Sequence, residues 1–520
     1  MINRRQFLQI TGAGAAGLLT GSMTSLLSAG NANAAGPGSG GFAPDLDIAL
    51  NAAAGEVPIL PGSPTSVWRF QGQLLKGDRA SLVNLERSYL GPIIRARTGQ
   101  KVRIRFTNQM ADQTIVHWHG LHVPADMDGH PRLVIPRGET YVYEFEVRNR
   151  AGTYWYHPHP HGLTGPQVYG GLAGLFLVSD DEEEAAGLPA GEYDIPLVLQ
   201  DRTFDRTNQL VYLSGHHMEQ MNGFLGDWIM VNGHPDFSLP VATRAYRLRL
   251  LNGSNSRIYR LAWKDGRPLT IIGTDGGLLE KPVQRRYAML GPGERLELWA
   301  DFSDYEPGSE TALVSLPFDS GMPGGRRMGR GMMGGGGYAL PNGAGFPIFR
   351  VKVNRRAQTN SALPQRLSTI KRYDPTDAVN RENPKRFHLV MRHMAWTING
   401  RTFRMKDVAD EERVALNSLE IWEFVNEGGG MGMMGGMDMP HPIHLHGMQF
   451  QVLQRRGVTH DGYVDEGWKD TVLLMPGERV RVLVRFGDYP GLFLYHCHNL
   501  EHEDMGMMRN FLVESTTSAA

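Results

Sequence analysis

Four pairs of histidines, each pair separated by a single residue, constrain the fold of this chain more than any other feature. The pairs are His117 and His119, His157 and His159, His444 and His446, and His496 and His498. Successive side chains of a β-strand point to opposite faces, so residues two apart share a face. Each pair therefore predicts a short strand that presents two imidazoles on one side of a sheet.

Cys497, the only cysteine in the 520 residues, lies between the last two histidines, and strand alternation turns its thiol to the opposite face. His502 and Met507 follow at intervals of five residues. His441 lies three residues before His444 and is therefore also on the other face from its neighbouring pair. Thiolate, imidazole and a weak thioether form the ligand set of a blue-copper site. A buried, unligated cysteine is the alternative, and the ligand types around Cys497 disfavour it.

The eight paired histidines exceed what one copper ion can use, and they suit three copper ions that share an exchangeable oxygen ligand. Four sequence motifs carry this pattern. They are HWHG at 117–120, YHPH at 156–159, HPIHLHG at 441–447 and HCHNLEHEDMGM at 496–507. With these motifs the chain resembles the multicopper oxidase family, which includes laccases, bilirubin oxidases and bacterial copper-efflux oxidases, over nearly the whole mature sequence.

The resemblance implies four copper ions per chain, with one of type 1, one of type 2 and two of type 3. It implies that His441, Cys497, His502 and Met507 hold the type 1 copper, and that His117 and His444 hold the type 2 copper. It implies that the type 3 pair is held by His119, His157, His159, His446, His496 and His498. In this family, electrons pass from Cys497 through its two neighbours to the trinuclear cluster, where O2 is reduced to water.

The second motif has two possible registers, because His161 follows His159 at the same spacing. An internal repeat favours His157 and His159. Glu139 precedes His157, and Glu478 precedes His496, by 18 residues in both cases. This equal spacing leaves His161 as the spare histidine.

The same repeat predicts the architecture. A turn followed by Gly-Glu and an alternating strand occurs at 137–139, 292–294 and 476–478, and strands ending in asparagine recur at Asn108, Asn252 and Asn426. The length agrees with about three domains at about 150 residues each. We expect an all-β protein, and the resemblance implies three cupredoxin-like Greek-key β-sandwich domains with the trinuclear cluster between the first and third.

The predicted domains span 44–182, 190–355 and 387–515, with a linker at 356–386. Ala312 stands 18 residues after Glu294, where the outer repeats carry a histidine. The middle domain is therefore interpreted as a spacer without copper ligands.

The N-terminus predicts export. Arg4-Arg5 precedes a weakly apolar run and the small residues 32–34, which indicates a twin-arginine signal peptide over 1–34 and a periplasmic or secreted protein. A basic membrane anchor is the alternative, but the run is only mildly apolar. The net charge of −1 predicts no nucleic-acid surface.

Two segments rich in glycine and methionine go beyond the general family pattern. The first, 321–338, includes Met328, Met332 and Met333, and the second, 428–439, includes Met431, Met433, Met434, Met437, Asp438 and Met439. Thioethers select Cu(I), and Asp438 offers an oxygen ligand for the product Cu(II). Similar insertions in copper-efflux oxidases support Cu(I) oxidation, so Cu(I) is the expected substrate, with phenols or aromatic amines oxidised less selectively. The alternative is a laccase with these segments as passive lids.

Two carboxylates are candidates for supplying the protons that oxygen reduction consumes. Asp128 lies nine residues after His119, and Glu503 lies beside His502. Each matches an acid near the cluster in the resembling oxidases, and the alternative is a structural role in fixing a histidine tautomer. A copper nitrite reductase needs far fewer cluster histidines. A copper store or electron-transfer protein would explain the thiolate and methionines but not the four pairs.

Overall fold

The computed structural model describes residues 41–214, 217–321, 340–392, 394–427, 438–458 and 460–515. These residues form six sheets, two from each of three consecutive segments of the chain. The all-β prediction is confirmed. The predicted signal peptide, 1–34, lies outside the described residues. Within the described ranges, no helix combines the length and the apolar content that crossing a membrane requires.

The first segment contains nine strands and two helices in the sheets β2-β1-β5-β7 and β3-β4-β9-β8-β6. The strands are β1 (Leu46–Val57), β2 (Thr65–Lys76), β3 (Leu82–Val83), β4 (Ile93–Arg97), β5 (Lys101–Asn108), β6 (Val116–His119), β7 (Thr140–Glu146), β8 (Gly152–Pro158) and β9 (Gly174–Ser179). The helices are α1 (Thr164–Tyr169) and α2 (Asp181–Ala185). Every second residue of β5 is buried, including Val102, Ile104 and Phe106, and this alternation is typical of a strand that packs one face against a core.

The middle segment forms the sheets β12-β11-β10-β14-β19-β16-β17 and β13-β21-β20-β15-β18. Its strands are β10 (Asp194–Arg202), β11 (Trp228–Val231), β12 (His234–Pro235), β13 (Ser238–Ala242), β14 (Ala245–Asn252), β15 (Tyr259–Trp263), β16 (Leu269–Thr274), β17 (Gly277–Arg285), β18 (Ala288–Leu290), β19 (Arg295–Asp301), β20 (Glu310–Ser315) and β21 (Phe346–Arg355). Helix α3 (His217–Asn222) lies between β10 and β11.

The third segment forms the sheets β23-β22-β25-β30-β27-β28 and β24-β32-β31-β26-β29. Its strands are β22 (Lys385–Arg392), β23 (Ala395–Ile398), β24 (Arg413–Ala415), β25 (Leu419–Asn426), β26 (His441–Leu445), β27 (Phe450–Arg456), β28 (Trp468–Lys469), β29 (Thr471–Leu474), β30 (Arg479–Arg485), β31 (Gly491–Cys497) and β32 (Met508–Glu514). Helix α4 (Leu500–Asp504) connects β31 to β32. Each segment has its own large apolar core, and the third core includes Cys497 and Met507.

The turn that repeats in the sequence makes the same hydrogen bonds in all three segments. The amides of Gly138, Gly293 and Gly477 donate to the carbonyls of Asn108, Asn252 and Asn426 at 2.6, 2.9 and 2.9 Å. The three glycines have φ angles of 88, 82 and 84°, which favour glycine over other residues. The internal repeat of the sequence is therefore a repeat of structure.

The side-chain amides of the same asparagines close a loop whose length differs among the segments. The amide of Asn108 donates to the carbonyl of Asp112, four residues on, and that of Asn252 to the carbonyl of Arg257, five residues on. Asn426 donates to Met439, 13 residues on, at 2.8 Å. The second Met-rich segment is thus an insertion into a loop that is short in the other two copies.

Candidate metal centres

Four strands bring the eight paired histidines together. Strands β6 and β8 pair antiparallel with His117 opposite His157, and β26 and β31 pair antiparallel with His444 opposite His496. The second member of three pairs follows its strand end by one residue, and the pleat still keeps each pair on one face. All eight imidazoles are fully buried.

The inner nitrogens of these rings converge from the first and third segments. His117 Nε2 lies 3.2 Å from His444 Nε2, which gives one facing pair. His496 Nε2 lies 3.0 Å from His446 Nε2 and 3.3 Å from His159 Nε2, which gives one trio. These two groups correspond to the expected type 2 site and one half of the expected type 3 site.

The other three histidines form a second trio with ring centroids 5.0 to 5.7 Å apart. Among the described residues, His119 Nδ1, His157 Nε2 and His498 Nε2 are buried without any hydrogen-bond partner. Buried polar atoms are seldom left unpaired, and a cation bound between the rings would satisfy all three nitrogens. The donor set therefore fits a metal ion.

Hydrogen bonds from the outer nitrogens fix the tautomers of five rings. Four Nδ1 atoms donate to backbone carbonyls: His117 to Asp128, His444 to Asp470, His157 to Pro158 and His496 to Cys497. The Nδ1 of His446 donates to the Asp128 carboxylate, and all five distances are 2.7 to 3.0 Å. Each Nε2 is then left with a lone pair for a metal. Burial lowers the pKa of the histidines of both trios, so they are neutral, which is the form that binds metal.

A separate site surrounds Cys497 inside the third core. Its Sγ lies 3.4 Å from His441 Nδ1 and 3.7 Å from His502 Nδ1, and all three side chains are fully buried. The Cys497 amide donates to the carbonyl of Met507, which is also fully buried. Burial raises the pKa of the thiol, so a bound cation is needed to hold the thiolate that acts as a ligand.

The comparisons with known proteins agree with this geometry. Two protein-family models, both described as multicopper oxidase, match residues 67–183 and 378–517. A laccase from Bacillus stratosphericus is 30% identical over 508 residues, covering 86% of this chain and 90% of its own. The chain belongs to the multicopper oxidases.

Solved structures extend the comparison. McoA multicopper oxidase from Aquifex aeolicus superposes with a TM-score of 0.76 at 34% identity, covering 91% of this chain and 97% of its own. A multicopper oxidase from Campylobacter jejuni, described as a metallo-oxidase, has a TM-score of 0.71 at 25% identity, covering 90% and 91%. This multicopper oxidase is accordingly a copper-dependent oxidoreductase that uses oxygen.

One aromatic ring and one backbone carbonyl cover the thiolate site of the oxidase. The Trp396 ring packs against His441 and His502 with centroids 4.7 and 5.0 Å away. The carbonyl of Met221, in α3, accepts hydrogen bonds from His502 Nε2 and Trp396 Nε1, both at 2.9 Å. His502 is therefore closed toward the middle segment, a feature that the sequence did not indicate.

Both predicted proton carriers lie against the cluster. Asp128 Oδ2 accepts from His446 Nδ1 at 2.8 Å, and burial raises the pKa of this carboxyl although His117 opposes the shift. The Glu503 carboxyl lies 3.2 Å from His496 Nδ1 and 3.5 Å from His159 Nε2. Burial raises the pKa of Glu503 well above its ordinary value.

Several residues near the cluster were not predicted. Asp470 and Thr471 contact His119 Nε2 at 3.1 and 3.2 Å, and Arg295 of the middle segment contacts Asp470. A Cβ at Gly293 would lie 3.0 Å from the His498 ring. The middle segment thus does more than separate its neighbours. His161, the spare histidine, is exposed and packs on Phe403.

Most of the predicted substrate methionines lie outside the described residues, namely Met328, Met332, Met333, Met431, Met433, Met434 and Met437. One end of each segment is described, at Gly321 and at Asp438, and these two residues lie together. A Cβ at Gly321 would be 3.6 Å from the carbonyl oxygen of Asp438. Met439 is buried in the same core as Cys497.

Proposed function

We propose that this oxidase binds four copper ions per chain and couples the oxidation of Cu(I), and less selectively of phenols or aromatic amines, to the reduction of O2 to water. When bound, copper supplies the one-electron redox chemistry at the thiolate site and the four-electron chemistry at the histidine cluster. The main observation that supports this proposal is the cluster itself, in which eight buried imidazoles leave their inner nitrogens facing one another.

In this proposal the type 1 ligands are His441, Cys497, His502 and Met507. The type 2 ligands are His117 and His444, and the type 3 ligands are the two trios. Support comes from the chain connectivity, because Cys497 is flanked by His496 and His498. The carbonyl of Cys497 also accepts a hydrogen bond from His496 Nδ1 at 3.0 Å, so the residue that carries the thiolate is bonded directly to a cluster histidine.

The choice of Cu(I) as substrate rests on the two Met-rich segments. One end of each segment meets the other where Gly321 lies beside Asp438, which is one residue before the core residue Met439 and three before His441. Thioethers are soft ligands that prefer Cu(I). The Campylobacter jejuni neighbour, described as a metallo-oxidase, agrees with this choice.

The cover over His502 also favours a small ion over a bulky phenol. His502 is fully buried and its Nε2 is already bonded to the Met221 carbonyl, so a phenol cannot contact that ring without moving α3. The second candidate function is a general laccase, which the relative from Bacillus stratosphericus favours.

Asp128 and Glu503 are proposed to hold and deliver protons. Support for Glu503 comes from its buried carboxyl, which lies 3.2 and 3.5 Å from two cluster histidines. Export through the twin-arginine pathway, from the signal at 1–34, and domain limits of 44–182, 190–355 and 387–515 are further parts of the proposal.

The test compares two replacements of the second Met-rich segment. Replacing 428–437 by a Gly-Ser linker removes thioethers and bulk, whereas changing Met431, Met433, Met434 and Met437 to Leu removes only the thioethers. A Cu(I) oxidase should lose kcat/KM for Cu(I) in both variants, by about 10-fold or more, with kcat/KM for a phenol unchanged or higher. Unchanged Cu(I) kinetics in the Leu variant would leave a laccase with passive lids.

Copper counting supplies the control for this experiment. The purified holoenzyme should contain about four copper ions per chain, and both variants should keep that number, because their changes lie outside the proposed ligands. A content near one ion per chain would remove the oxidase proposal and favour a carrier.

A further inference from the structure

Arg295 is a buried arginine of the middle segment that reaches the histidine cluster without being a ligand. Its Nη1 and Nη2 donate to Asp470 Oδ1 and Oδ2 at 2.7 and 2.5 Å, which is a bidentate pair. The remaining donors go to the carbonyls of Thr153, Gly293 and Asp275 at 2.9 to 3.0 Å. One side chain therefore joins all three segments, and it is fully buried.

Asp470 passes this contact on to two cluster histidines. Its Oδ1 accepts from His119 Nε2 at 3.1 Å, and its carbonyl accepts from His444 Nδ1 at 2.9 Å. The rings of His119 and His444 stack with centroids 3.6 Å apart and planes 10° from parallel. The bond at Nε2 leaves His119 Nδ1 as the nitrogen that faces the cluster, and this atom has no partner among the described residues.

Asp470 itself lies close enough to His119 and His444 to be considered a third metal ligand. The bidentate contact with Arg295 disfavours that role, because the guanidinium occupies both carboxylate oxygens and no donor of Arg295 is free to release them. Asp470 is therefore placed to orient imidazoles and not to bind the metal.

We propose that Arg295 is a positioning residue of the type 3 centre: through Asp470 it sets the tautomer and ring orientation of His119. The inference rests on the proposed ligand assignment, and it gives the middle segment, which supplies no histidine to the described cluster, a part in the copper chemistry. Groups that orient a metal-binding histidine affect metal affinity by about 10- to 100-fold.

Gly120 gives independent access to the same contact. Its φ is 87°, and a Cβ there would lie 2.5 Å from Asp470 Oδ2 and 2.7 Å from Arg295 Nη2. A methyl group at this position would push the ion pair away from His119 without changing any charge. Gly138 is the matched control, because its φ is 88° and a Cβ there meets nothing within 4 Å.

The experiment uses the copper-loaded full chain with the variants Arg295→Lys and Gly120→Ala. Lysine keeps the charge and loses the bidentate fork. The controls are Gly138→Ala and Arg257→Lys, since Arg257 is equally buried and pairs with Asp201 inside the middle segment. Four properties are measured for each variant. They are the copper content during titration with a chelator, the near-ultraviolet band of the coupled type 3 pair, the EPR silence of that pair, and thermal stability.

We expect both test variants to bind about one copper pair 10- to 100-fold more weakly and to lose the coupled type 3 signature, with the blue absorption kept. The controls should keep the signature even where thermal stability falls equally. If Arg295→Lys does not fold, Gly120→Ala decides alone. Test variants indistinguishable from their controls would overturn the inference, whereas a wild-type chain without a type 3 signature would overturn the proposed function instead.

Discussion

The two candidate copper sites of this oxidase are built on opposite principles. The eight-histidine cluster draws its proposed ligands from two segments, and six of its rings are anchored through outer nitrogens to carbonyls or to the carboxylates of Asp128 and Asp470. The Cys497 site takes all its proposed ligands from the third segment and lies within an apolar core. The cluster is thus surrounded by polar groups that hold its imidazoles, whereas the thiolate site is surrounded mainly by apolar side chains.

This difference follows the chemistry that each site would perform. Oxygen reduction consumes protons, and two buried carboxyls, Asp128 and Glu503, lie against cluster histidines. Electron uptake at a copper ion held by Cys497 would need little movement of the ligands, and a rigid pocket without water limits that movement. Variants at one site should therefore leave the other largely intact.

The largest effect is expected for Cys497→Ser. The hydroxyl cannot replace the thiolate as a soft ligand, so the blue absorption and oxidase activity should both be lost, with activity down by at least about 1,000-fold. His496 keeps its hydrogen bond to the backbone carbonyl of residue 497, and no cluster histidine is changed, so roughly three of four copper ions should remain. Visible and EPR spectra with copper analysis check this, and a variant that stays blue would contradict the type 1 assignment.

Intermediate effects are expected at the carboxyls of the cluster. Glu503→Gln and Asp128→Asn remove a proton carrier while keeping the shape, so oxygen reduction should slow by about 100-fold or more. Reduction of the blue copper by substrate should stay fast, which stopped-flow measurement of the two half-reactions resolves. Loss of copper, or equal slowing of both half-reactions, would assign these residues to the support of histidines alone.

The cluster geometry could be predicted from sequence to the extent that strand alternation determines it. His117 and His119, or His496 and His498, share a face because side chains alternate along a strand, and the same rule separates Cys497 from its neighbours. The repeated Gly-Glu turns likewise predicted three similar units, because each turn makes the same hydrogen bond to the asparagine that ends an earlier strand.

The contacts that sequence could not predict are those between distant segments. Arg295 and Asp470 are 175 residues apart, and Met221 and His502 are 281 residues apart. No periodicity marks such pairs, because each depends on how whole sandwiches dock. The interpretation of the middle segment as a spacer rested on the absence of a histidine at the repeat position, and it did not foresee the contacts that Arg295 and the Met221 carbonyl make with Asp470 and His502.

The smallest expected effect tests the cover of the thiolate site. Trp396→Phe keeps an aromatic ring on His441 and His502 but removes one of the two donors to the Met221 carbonyl. That carbonyl should then accept more strongly from His502 Nε2, which makes the imidazole a better donor to Cu(II) and lowers the type 1 potential. We expect a fall of about 20 mV, which is roughly a two-fold change in the equilibrium constant at about 59 mV per ten-fold.

Redox titration of the blue band measures this fall in potential, with Trp228→Phe, on the exposed tryptophan of β11, as the matched control. A potential that rises, or that moves equally in the control, would show that the carbonyl does not tune this site, and the contrast between an anchored cluster and an insulated thiolate would then extend to His502 as well.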